Sequence, residues 1–162
     1  MIGRGAGRGA RVARIVLGTL AAMCLSASAF AQSTHVLIVV GLAGDPEHGE
    51  LFKKWGTTLA GTAVDKLGVP KDRVVLLADQ QATRDGVVKA FDALSAAAGE
   101  DDTVAIVLFG HGTFANKTAK FNLTGPDMAA QDFGPLLAKL KSTRVVFVDT
   151  TSASAPFVEA LS

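Results

Sequence analysis

Four short apolar runs, spaced by amphipathic stretches, constrain this chain more than any other feature. They are His35–Gly41 (HVLIVVG), Asp72–Ala78 (DRVVLLA), Thr103–Phe109 (TVAIVLF) and Arg144–Asp149 (RVVFVD). Rich in Val, Leu and Ile and without polar alternation, such runs predict strands covered on both faces, as in a parallel sheet. Between the first two, Leu51, Phe52, Trp55, Leu59, Ala63 and Leu67 fall at helical spacing over Glu47–Leu67, and Gly68 with Pro70 closes the helix. Thr83 reads as the N-cap of a second helix running through Ala98, with Val87, Val88, Phe91 and Leu94 inward and Gly99 ending it. A third helix is expected near Ala129–Lys141 and a fourth from Pro156 to Leu161, with Gly110–Asp127 as a long connection. Strand and helix in alternation imply an α/β fold, a three-layer α/β/α sandwich on a mainly parallel sheet. Four strands are few for this class, and the last would be an open edge. The chain therefore reads as truncated after the fourth strand, or as completed by a partner, self-association through that edge included.

The first 31 residues have a different character. Arg4, Arg8, Arg11 and Arg14 precede an uncharged apolar stretch from Ile15 to Ala29, and Ala29-Phe30-Ala31 is a small-residue cleavage site. This is the layout of a secretory signal peptide, with an apolar run shorter than the roughly 20 residues that span a bilayer. The expected mature domain is residues 32–162, secreted or periplasmic, and free of the membrane once the leader is cleaved. The leader takes four of the 16 basic residues and none of the 15 acidic ones, leaving a net charge of about −3. A mildly acidic, mixed surface offers no footprint for nucleic acid. The single cysteine, Cys24, lies in the leader, so residues 32–162 have no thiol for a disulfide, a metal site or a nucleophile.

In a parallel sheet, ligands bind beyond the carboxyl ends of the strands, which selects four segments. His111 lies between Gly110 and Gly112 after the third strand, accessible and with a pKa range suited to proton transfer. Gly41, Gly44 and Asp45 follow the first strand, Asp79 the second. Asp149, Thr150, Thr151, Ser152 and Ser154 end the fourth, placing one carboxylate and four hydroxyls together. The Gly41–Asp45 loop lacks the lysine and hydroxyl of a P-loop and the full dinucleotide fingerprint, so no cofactor is expected there. His35, His48 and Asp45 can be set beside His111 as metal ligands, yet no pair shows a tight ligand spacing and no metal is expected. Asn116-Lys117-Thr118 and Asn122-Leu123-Thr124 match the glycosylation acceptor pattern, a match common by chance.

The segments HVLIVVGLAGDPEHGELFKKW, IVLFGHGTF, AKFNLTGPD and VVFVDTTSASAPFVEALS together resemble the caspase and legumain-like cysteine-peptidase superfamily, in particular its secreted bacterial caspase-like members. The resemblance spans most of the chain from His35 onward. It implies strand order 2-1-3-4, extended in the family by two further strands, and a dyad of a histidine after strand three and a cysteine after strand four. His111 matches the histidine, and the cysteine is missing. Aligning Asp149 with the family's acidic position puts Thr151 at the cysteine, whereas aligning Ser154-Ala155 with its Ser-Gly puts Ser152 there.

The function this implies is a non-catalytic peptidase-homology domain with a peptide or protein ligand, because a hydroxyl needs a well-placed base that a thiolate does not. One alternative is an active serine or threonine hydrolase, with His111 as base, Ser152 or Thr151 as nucleophile and backbone amides near Gly112 as oxyanion donors. The other is an unrelated α/β ligand-binding module that uses the same crevice.

Overall fold

The computed structural model of the chain describes residues 32–161; the leader expected over residues 1–31 lies outside them. Among the described residues, no helix is long and apolar enough to cross a membrane.

The four apolar runs form β1 (Thr34–Val40), β2 (Val74–Leu77), β3 (Thr103–Phe109) and β7 (Arg144–Asp149). All pair in parallel, in the order β2-β1-β3-β7. β1 sits at the centre of the pairing, with Val36 opposite Val74 on one side and Ala105 on the other. Helices α1 (Pro46–Asp65), α2 (Arg84–Ala97), α3 (Ala130–Leu137) and α4 (Ala155–Leu161) flank the sheet as a three-layer α/β/α sandwich. Short 3-10 turns at Lys71–Arg73 and Asp79–Gln81 bracket β2 and shorten it relative to the apolar run.

Alternating side chains divide the core between the two faces. On one face, Leu37, Val39, Val104, Ile106 and Leu108 are buried with Val87 and Phe91 of α2, Phe133 of α3 and Phe157 of α4. Phe133 is the hinge of this packing, its ring 5.3 Å from that of Phe147 and 5.8 Å from that of Phe157. On the other face, Val36, Ile38 and Val40 pack with Phe52 and Ala63 of α1. Gly56 is buried there too, where α1 crosses the sheet at Val40 and Leu76. Leu51 and Trp55, on the apolar stripe of α1, remain exposed, as does Leu67, which lies in the turn beyond the helix end at Asp65.

The connection expected between Gly110 and Asp127 is instead a small antiparallel sheet, β4 (Gly112–Ala115), β5 (Thr118–Phe121) and β6 (Met128–Ala129), in the order β4-β5-β6. Its hairpin turns on Asn116 and Lys117, at φ 51° and 62°, the left-handed geometry of a two-residue turn matched to strand twist. Phe121 is fully buried against the main core, tying the hairpin to the sheet.

Candidate functional site

The first wall of the site is the turn from β1 into α1. Asp45 is the N-cap, its Oδ1 accepting the His48 amide at 3.0 Å, and Pro46 follows in the first helical turn. Its Oδ2 lies 2.8 Å from His48 Nδ1, so one carboxylate holds both the helix start and the imidazole of its first turn. The hydrogen bond from the His48 amide is the main reason the Asp45 carboxyl lies below its ordinary pKa range. Gly44, at φ 79°, makes the turn possible. A Cβ there would stand 3.4 Å from His111 Cδ2, so the glycine also leaves room for the ring.

The second wall is the end of β3. His111 is pinned on both sides through its backbone: its amide donates to the Leu42 carbonyl at 2.9 Å, and its carbonyl accepts from the Asn122 amide at 3.1 Å. The Leu42 amide in turn donates to the Asn122 carbonyl at 2.9 Å, which locks the β1 loop, the β3 end and the end of β5 together. The His111 ring turns toward α1, with centroids 5.5 Å from Phe52 and 5.6 Å from His48. Phe52 continues the row to Trp55 at 5.5 Å, and Trp55 to Phe109 at 6.1 Å. Between the walls lies a cavity of about 570 Å³, lined by Leu42, Ala43, Gly44, Asp45, Pro46, His111 and Asn122. The Asn122 side-chain oxygen is buried without a hydrogen-bond partner among the described residues.

The third wall is the end of β7. The Thr150 hydroxyl donates to the Leu108 carbonyl at 2.8 Å, spending itself on the sheet. Thr151 is buried; its amide donates to Asp149 Oδ1 at 2.9 Å, and its Oγ1 accepts from the Ala153 amide at 3.3 Å. Gly112 packs directly on it, for a Cβ at Gly112 would stand 2.7 Å from Thr151 Oγ1. Ser152 is exposed and Ser154 half-buried, its amide bonded to the Thr151 carbonyl at 3.3 Å. Asp149 Oδ2 is buried without a partner among the described residues, and burial pushes that carboxyl above its ordinary range despite the Thr151 hydrogen bonds.

The structure thus gathers Gly41, Gly44, Asp45, Gly110, His111, Gly112, Asp149, Thr151, Ser152 and Ser154 at the carboxyl ends of β1, β3 and β7. Within that crevice the histidine and the hydroxyls belong to different clusters. Among the described residues, no hydrogen bond joins His111 to Thr151, Ser152 or Ser154. Asp79 carries Lys53 at 2.7 Å, an ion pair fastening the end of β2 to α1.

The four potential metal ligands separate. His35 is buried at the opposite end of β1, 3.5 Å from Asp102 Oδ2, and takes no part. Asp45, His48 and His111 converge, each with one ligating atom within 4.8 Å of the others. Asp45 and His48, three residues apart at a helix start, meet because neighbours at that spacing share a face, and the end of β3 brings His111 to them. Sequence reasoning also missed Phe52 and Asn122 as site residues. The aspartate-proline N-cap signature preceding His48 was the available signal for the first turn of α1; nothing in the sequence foretold Asn122, which arrives by the hairpin.

No protein-family model matches the chain, and no curated protein matches it either.

Proposed function

We propose that this chain is an exported caspase or legumain-like domain that binds a peptide or protein ligand in the crevice above β1, β3 and β7 without cleaving it. The observation that carries this reading is that, among the described residues, no hydrogen bond joins His111 to a hydroxyl of the turn after β7. The His111 ring faces His48 and Phe52, while the Thr151 hydroxyl is buried beneath Gly112 in a hydrogen bond to its own turn. A hydroxyl nucleophile needs its base within hydrogen-bond reach. The resemblance in motif order and the absence of cysteine from residues 32–162 point the same way. The exposed Trp55, joined to His111 through the ring of Phe52, suits an extended ligand with apolar side chains.

The test pairs activity with binding. A fluorogenic peptide library should show no turnover, and a fluorophosphonate probe should leave Ser152 and Thr151 unlabelled on folded protein. Peptide titration followed by amide NMR should shift Leu42–Asp45, His111 and Asn122. Labelling of Ser152 that vanishes in His111→Ala would overturn the reading in favour of a serine hydrolase.

A further inference from the structure

The Asp45, His48 and His111 cluster has a chemistry that peptide binding does not use. We propose that these three side chains bind one divalent transition-metal ion of the zinc class at the mouth of the crevice. The inference stands on donor geometry and is independent of the peptidase-homology reading.

Three observations support it. The donor set is two imidazoles and one carboxylate, which suits zinc, nickel or copper and not magnesium or calcium, whose sites are built from oxygen. Three protein ligands of this kind leave a fourth position for water or a ligand, as in open zinc sites. Around a tetrahedral zinc, donor atoms stand roughly 3.3 Å apart. The present span of 4.8 Å is wider than this, so binding draws the three side chains, two exposed and one half-buried, inward onto the ion.

The frame is rigid where it must be. His48 is fixed in the first turn of α1 by the Asp45 cap, and His111 by backbone hydrogen bonds on both sides. The helix N-terminus disfavours a cation, but Asp45 at the N-cap and Glu47 in the first turn place two carboxylates against that partial charge. An independent sign comes from Asn122, whose buried side-chain oxygen has no partner among the described residues and which lines the same cavity. A metal-bound water is the kind of donor that would satisfy such an acceptor. Metal binding would occupy a ring nitrogen of His111 and keep that atom from acting as a base.

Tag-free protein titrated with zinc chloride against a chromogenic chelator should bind one equivalent, undisturbed by excess magnesium. Cobalt(II) should give the visible absorption of a low-coordinate nitrogen and oxygen site. His48→Ala and His111→Ala should each weaken binding by roughly tenfold or more, the scale at which altering even an outer partner of a site is felt. Asp45→Asn keeps an N-cap acceptor, so it separates loss of the carboxylate from loss of the helix start. His35→Gln should bind as the wild type does. At a fixed zinc concentration the rise in melting temperature should be larger for wild type than for either histidine-to-alanine variant. Absence of saturable binding at tens of micromolar zinc, judged against the affinity of ordinary zinc sites, would overturn the proposal. So would binding that survives loss of both His48 and His111.

Discussion

Asp149 shows how one residue couples the strand end to stability. Its Oδ1 accepts from the Thr151 amide, while Oδ2 is buried with no partner among the described residues. Burial disfavours the ionised form, so the folded-state pKa is raised above the unfolded one. A carboxyl raised in this direction contributes stability at low pH, and that contribution is lost as pH rises through the folded pKa. Asp149→Asn removes the buried charge and keeps an oxygen for Thr151. Its unfolding free energy relative to wild type should therefore be larger, that is, the variant relatively more stable, at pH 7 than at pH 4. Chemical denaturation of both proteins at the two pH values measures this, and equal differences at both would refute it. His111 differs in kind, being fixed through its backbone while its ring stays in contact with His48 and Phe52.

At the scale of elements, the β4–β5 hairpin delivers Asn122 to the site, and its turn carries the strain. Asn tolerates left-handed backbone well, but Lys117 at φ 62° has no side-chain reason to be there. Lys117→Gly supplies the residue that this position of the turn favours and should stabilise the protein by about 0.5–1 kcal/mol, set by relief of left-handed strain less the added chain entropy. An unchanged or lower denaturation midpoint would contradict it. This hairpin is also where the sequence was least legible. Thr103–Phe109 and Arg144–Asp149 could be read to the residue because each carries an unbroken apolar run, Val104–Phe109 and Val145–Val148. Strands of four residues or fewer, such as Thr118–Phe121 and Met128–Ala129, carry too little periodicity, and a turn of Asn-Lys lacks the glycine that announces a hairpin. The same limit applies to the site. His111, Gly110 and Asp149 were legible because strand ends are where parallel sheets place function. The approach of His48 and Asn122 to His111 depends on β1 lying beside β3 and on the hairpin folding back, neither of which is local information.

At the scale of the whole molecule, the two faces of the sheet are unequally covered. Three helices bury the face of Val104, Ile106 and Leu108, whereas α1 alone packs on the face of Val36, Ile38 and Val40. On that second face Ala105, Val107 and Phe109 are half-buried, and Val146 and Val148 of β7 are 53% and 39% exposed. Among the described residues, β7 pairs with β3 and with no strand on its outer side. An unpaired edge that carries a bare apolar face is a surface on which chains associate, and lysine is the residue that blunts such edges. Wild-type protein should therefore show an apparent mass that rises with concentration in light scattering after size exclusion. Val146→Lys with Val148→Lys should hold the mass at that of a monomer across the same range. Because both positions are already exposed, the double variant should unfold within about 1 kcal/mol of wild type, the usual scale of two surface substitutions. A mass independent of concentration in wild type, or an unchanged rise in the variant, would show that this face does not bring chains together.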